Sequence, residues 1–151
     1  HLFLKRQGLE SLAGWWAMTT QELHSLGDRH PTACTVLAAS MLEAALVAIA
    51  EPAKSAGEWR KKDLLEPSER WKLGMLIDQA EVALTFSKNE AVLARTLADL
   101  RNRIHVGKSA VSGPERFKLQ FTNPQDATIA RNHLELLLVR ILEWPPIAAL
   151  A

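Results

Sequence analysis

The sequence predicts an all-α fold, a four- to five-helix bundle, and three observations predict it. Ala and Leu supply 46 of the 151 residues, against 13 for Val plus Ile, and Tyr is absent. Unbranched side chains and Ala lose little freedom in a helix, whereas β-branched and aromatic residues favour strands. The apolar share of 48% is enough to bury one core, and the length is short for two. Finally, Gly, Pro and capping residues divide the chain into segments with helical rather than alternating apolar spacing. A sandwich or barrel is excluded on these grounds.

The first helical segment is expected over about 2–26, with Leu4, Leu9, Leu12, Trp15, Trp16 and Leu23 at loosely helical spacing. Gly8 and Gly14 weaken it and allow two pieces. Gly27 to Pro31 reads as a stop and turn, because Gly ends helices and the residue before Pro avoids the helical region. The second helix is expected over about 32–51, with Val36 or Leu37, Met41, Leu42, Ala45, Leu46 and Ile49 on one stripe and Pro52 closing it. Ala53 to Glu66 is polar and reads as a loop or a short turn.

A third helix is expected to start near Glu66-Pro67-Ser68-Glu69, Pro being suited to the first helical position. Its stripe would be Trp71, Met75, Leu76, Val82 and Ala83. Ser87-Lys88-Asn89-Glu90 is a capping box that opens a fourth helix. Leu93, Leu97, Leu100 and Ile104 follow on one face, and Gly107 terminates it. Val106 to Thr122 reads as a loop, with a short extended piece at 117–121. Asn123-Pro124 opens the last helix, which runs to Trp144 with Ile129, His133, Leu137, Arg140 or Ile141, and Trp144 as its stripe. The reading is one domain over 1–151, with a core at about 33–144 and an N-terminal helical segment at 1–30.

The formal net charge is +1, from 18 basic and 17 acidic residues. This excludes a global polyanion-binding surface but allows a local basic patch. One cysteine, Cys34, excludes an internal disulfide framework and a cysteine-based zinc site. No apolar run is expected to be long enough to span a bilayer, since Ser40 and Glu43 interrupt the best candidate, Ala33 to Ala50. The opening residues lack the order of a signal peptide. A cytoplasmic protein with no membrane partner is therefore expected.

The densest polar cluster is Arg95, Asp99, Arg101, Asn102, Arg103, His105 and Lys108, at the end of the fourth helix. Arg101 and His105 are four apart and share a face. An imidazole can move a proton near neutral pH. A guanidinium can clamp a phosphate and stabilise developing charge. Basic residues in a last helical turn also complement the helix's carbonyl end, so capping accounts for the same residues.

The stretch Leu97-Ala98-Asp99-Leu100-Arg101-Asn102-Arg103-Ile104-His105-Val106-Gly107 resembles the signature of the HEPN superfamily of small helical-bundle proteins. That signature is an Arg followed by a polar residue, often Asn, then a short gap and a His at the end of a core helix. Ala38 to Leu46 resembles the Glu-containing apolar helix that packs against it, and Leu76 to Ala80 fits the same layout. The resemblance extends over about 33–144, and its specific part is the stretch around Arg101 and His105. The family's catalytic form has a longer gap, whereas three residues separate Arg101 from His105 here.

The resemblance implies an RNA-binding protein, in active members a metal-independent endoribonuclease of toxin or defence type that needs no cofactor. It implies a homodimer with a composite cleft, and an antitoxin or other protein partner. Arg101, His105 and Asn102 would be the catalytic set, with His105 moving the proton, Arg101 clamping phosphate and Asn102 positioning. Arg103, Lys108 and Arg95 would bind substrate. The alternative class is a non-catalytic helical interaction or dimerisation module with a degenerate motif.

Other residues invite simpler readings. His24, His30 and Cys34 have helix-compatible spacing, but Gly27 and Pro31 break the segment and no fourth ligand is evident, so no metal is expected. His133 reads as a satisfied core histidine. Glu43 reads either as the solvated edge of its stripe or as a partner for Arg101 or Arg103. Trp71 and Trp144 read as core. Trp15 and Trp16 cannot share a face, so one is exposed or at an interface.

Overall fold

The computed structural model describes residues 14, 17–26, 29–59, 71–103 and 124–144, and among them there are helices and turns but no strand. Five helices result: α1 (17–26), α2 (Pro31–Ser55), α3 (Leu73–Val82), α4 (Lys88–Arg103) and α5 (Pro124–Glu143). Trp15, Trp16, the proposed start at Pro67 and the loop at 106–122 lie outside the described residues.

Helix α2 is the axis of the bundle and packs on α5, α4 and α3. Its buried residues include Ala38, Ala39, Met41, Leu42, Ala45, Leu46, Ile49, Ala50 and Ala53. Small Ala side chains let neighbouring helices approach, and the larger side chains fill the space between them. By length and composition α2 could cross a membrane, contrary to the sequence expectation, and 56% of its most apolar window is buried inside the fold. That burial is what a core helix has.

Pro52 does not close α2, as the sequence suggests it should; the helix continues through it to Ser55. Pro52 removes one N–H, but its carbonyl accepts from Ala56 N at 3.0 Å. Fully buried Ala53 anchors the extra turn. The stop is made instead at Gly57, whose φ is 74°. Gly57 N donates to Lys54 O and Glu58 N to Ala53 O, the paired closure of a Schellman motif.

Helix α3 begins at Leu73, not near Pro67: Lys72 is extended at φ −93°, ψ 148°, and Trp71 precedes the helix. Trp71 is buried, and the Lys54 ammonium sits 5.4 Å from its ring centroid. Tertiary anchoring of this indole overrides local helix propensity. The buried face is Leu73, Leu76, Ile77, Gln79 and Ala80, while Val82 is exposed, so the expected stripe is out of phase.

The Ser87–Glu90 box forms as the sequence predicts. Ser87 N donates to Glu90 Oε1 at 2.8 Å, and Glu90 N donates to Ser87 Oγ at 3.2 Å. Helix α4 then buries Ala91, Ala94, Leu97, Ala98 and Leu100. It packs on α2, α3 and α5. Glu90, at its start, meets Arg140 in the last turns of α5 at 3.3 Å. Two helices that pack along their lengths with this pairing run antiparallel.

Helix α5 buries Ala127, Ala130, Leu134, Leu137, Leu138 and Ile141, followed by Trp144. Ile129 and His133 sit at the edge of this face rather than on it. Leu134, Leu136, Leu137 and Leu138 offer overlapping stripes, and packing against α2 selects one. Trp59, just after α2, joins the core: its ring lies 6.4 Å from that of Trp144, and its Nε1 donates to Thr85 Oγ1 at 3.2 Å. From α1, Leu23 and Thr19 are buried.

Candidate functional site

The site starts from the phase of two helices. On α2, Met41, Leu42, Ala45 and Leu46 are buried, which places Glu43 on the flank of the stripe, half-buried. On α4, the capping box fixes where the helix begins, and Leu97 is fully buried. Arg101 comes one turn later on the same face and therefore points toward α2. Arg101 Nη1 donates to Glu43 Oε2 at 2.5 Å. The two side chains are 28% and 34% exposed, so water still reaches the pair.

Beside this pair the non-helical entry to α3 leaves a cavity of about 430 Å³. Glu43, Arg101 and Asn102 form one side of it, and Trp71 to Met75 form the other. A Cβ at Gly74 would meet nothing within 4 Å. The ionisable lining groups are Arg101, Lys72 and Glu43, two cations against one anion. Glu43 occupies Nη1 of a guanidinium that carries five N–H donors in a planar fork. The remaining donors suit a phosphate or carboxylate. Exposed Asn102 adds an amide that both donates and accepts.

The sequence-derived set divides on this geometry. Arg101 and Asn102 come together at the cavity, and of the readings open for Glu43 the structure shows the partnership with Arg101. Arg95 lies on the α3-facing flank of α4, hydrogen-bonded to Glu81 and, at 3.0 Å, to Asp78. Those bonds, that to Glu81 foremost, raise its pKa and hold it charged. Arg95 is not part of the cavity lining. Arg103 is the last residue of α4, and its side chain lies outside the described set, as do His105 and Lys108. The contribution of Trp71 and Lys72 is not signalled in the sequence, because it depends on the chain staying extended before α3.

The remaining candidates stay apart. His24 Nε2 is 3.8 Å from Glu135, with both side chains exposed. His30 is exposed and Cys34 is buried. Among the described residues no group of three or more His, Cys, Asp or Glu could hold a metal ion. His133 is half-buried, and contrary to the sequence reading its buried Nδ1 has no hydrogen-bond partner among the described residues. Compared with protein-family models, curated proteins and solved structures, the chain finds no match.

Proposed function

We propose that this chain is a HEPN-like RNA-binding protein that cleaves RNA without a metal ion, acting as a homodimer. One observation carries the reading: Arg101 and Asn102, the two adjacent residues of the signature, line the same cavity, and Glu43 steadies the guanidinium there. Arg101 holds the phosphodiester through the N–H groups Glu43 leaves open. His105, assigned from the sequence alone, accepts the 2′-hydroxyl proton as that oxygen attacks phosphorus. The bond to the 5′-oxygen breaks, the leaving oxygen takes a proton, and a 2′,3′-cyclic phosphate remains. Asn102 positions the substrate.

Cleavage of mixed single-stranded RNA in EDTA tests this. Cyclic-phosphate ends that disappear in both His105→Ala and Arg101→Ala support it. No cleavage by folded wild type sinks the nuclease. The second reading, a non-catalytic interaction module, is favoured by one feature. Leu136, Val139 and Leu142 form an exposed aliphatic ridge along α5, each about half exposed. If that ridge is the working surface, Leu136→Lys changes the oligomeric state in sedimentation and Arg101→Ala does not.

A further inference from the structure

The carboxylate of Glu43 occupies one terminal nitrogen of the guanidinium fork that an oxyanion ligand would engage at two points. Its Oε2 takes Nη1 at 2.5 Å, both side chains remain partly exposed, and both line the same cavity. Among the described residues Arg101 has no other ion-pair partner. We propose that this cavity is a self-occupied oxyanion site, in which Glu43 competes with a phosphate group for Arg101 and sets the affinity of the site. This rests on the reading of Arg101 as the phosphate-binding cation.

The chemistry favours exchange over a permanent pairing. A partly exposed carboxylate–guanidinium pair is weak, because water screens it. A phosphate offers more acceptor oxygens and can engage the guanidinium fork at two points. Asn102 and Lys72 line the same cavity and supply further donors to a phosphate, whereas Glu43 meets Arg101 at a single nitrogen. If Glu43 stays on Arg101, its negative charge repels the incoming ligand. If it swings away, the ion pair is lost. Both routes make wild-type binding weaker than that of a neutral isostere.

The test is Glu43→Gln, which keeps shape and removes charge. Inorganic phosphate is titrated into wild type, Glu43→Gln and Glu43→Gln/Arg101→Ala, following side-chain Nε–H and backbone signals by NMR, with circular dichroism confirming matched folds. Phosphate is expected to move the Arg101 signal and to bind Glu43→Gln about fivefold more tightly than wild type, the scale of one exposed ion pair. The double variant loses that gain. Equal or weaker binding by Glu43→Gln overturns the proposal, as does phosphate that leaves Arg101 unmoved.

A 2′-O-methyl RNA hexamer in the same three proteins separates the two claims. Tighter phosphate binding by Glu43→Gln with no hexamer binding supports the exchange and removes the RNA reading. Hexamer binding that is indifferent to Glu43 sinks the exchange and leaves the RNA reading standing.

Discussion

Glu43 on α2 and Arg101 on α4, 58 positions apart, join the two central helices at the rim of the cavity. The pair has two roles of unequal size. Its contribution to stability is small, because partly exposed pairs are worth about 0–1 kcal/mol. On the proposed reading the larger role is that of Arg101 alone in binding, as a cation lining the cavity. Arg101→Ala is therefore expected to shift the urea midpoint little. It should weaken RNA binding about tenfold and flatten the dependence of log affinity on log salt by about one phosphate contact. A large loss of stability with unchanged binding would show that the pair is a structural clasp.

Arg95 provides the contrast within the same helix. Its guanidinium is bound to Asp78 and Glu81 and faces α3, away from the cavity lining. Arg95→Ala is expected to reduce RNA affinity less than Arg101→Ala does, by about threefold or less, the modest loss typical of a peripheral charge. Filter binding or anisotropy at one fixed salt concentration checks the order. An equal or larger loss at Arg95 would move the binding face to the α3 side of α4.

The Trp59–Thr85 hydrogen bond couples the end of α2 to the α3–α4 turn across buried surroundings. Trp59 is 3% exposed and Thr85 is fully buried. Thr85→Val leaves a buried indole N–H without its acceptor, at a cost of about 1–3 kcal/mol. Trp59→Phe removes the donor and also leaves space beside Trp144, so it costs about as much or more. The double variant should be less destabilised than the sum of the singles, because the polar mismatch is gone. Denaturant titrations of the four proteins give the coupling energy, and strict additivity would contradict it.

Much of this was legible in the residues and some was not. The Ser87–Glu90 box could be read because both partners lie within four residues and its geometry is local. Glu43 reads either as the solvated edge of its stripe or as a partner for Arg101 or Arg103, and only the packing of α2 on α4 selects Arg101. Pro52 misled, because the missing N–H was only a local penalty, whereas burial of Ala53 and the Gly57 closure act over the whole end of the helix. Trp71 was legible as core, but its place before α3 rather than within it was not, because that depends on Lys54 and the core rather than on its neighbours. The phase of α5 could not be chosen from four leucines in five positions, since α2 decides which of them face inward. The cavity inherits that limit, for its far wall is built by the extended entry to α3.

Leu84 offers the sharpest test of how turns close this bundle. It holds φ 58° just after α3, a position equivalent to Gly57 after α2, and its side chain is 75% exposed. The backbone there is satisfied: Leu84 N donates to Glu81 O at 3.1 Å and Phe86 N to Ala80 O at 3.0 Å. The left-handed conformation costs a side chain with a Cβ about 1–2 kcal/mol, and burial returns little to an exposed Leu. Glycine removes the penalty but adds freedom to the unfolded chain, which offsets part of the gain. Leu84→Gly is therefore expected to raise stability by about 0.5–1 kcal/mol, the net of those two effects. Leu84→Asn should give a smaller gain, and Leu84→Val a loss, since β-branching is least tolerated at positive φ. Thermal or urea unfolding of the three variants gives the order Gly, Asn, Leu, Val. A destabilised Leu84→Gly would mean that the leucine side chain makes a contact strong enough to outweigh its strained backbone.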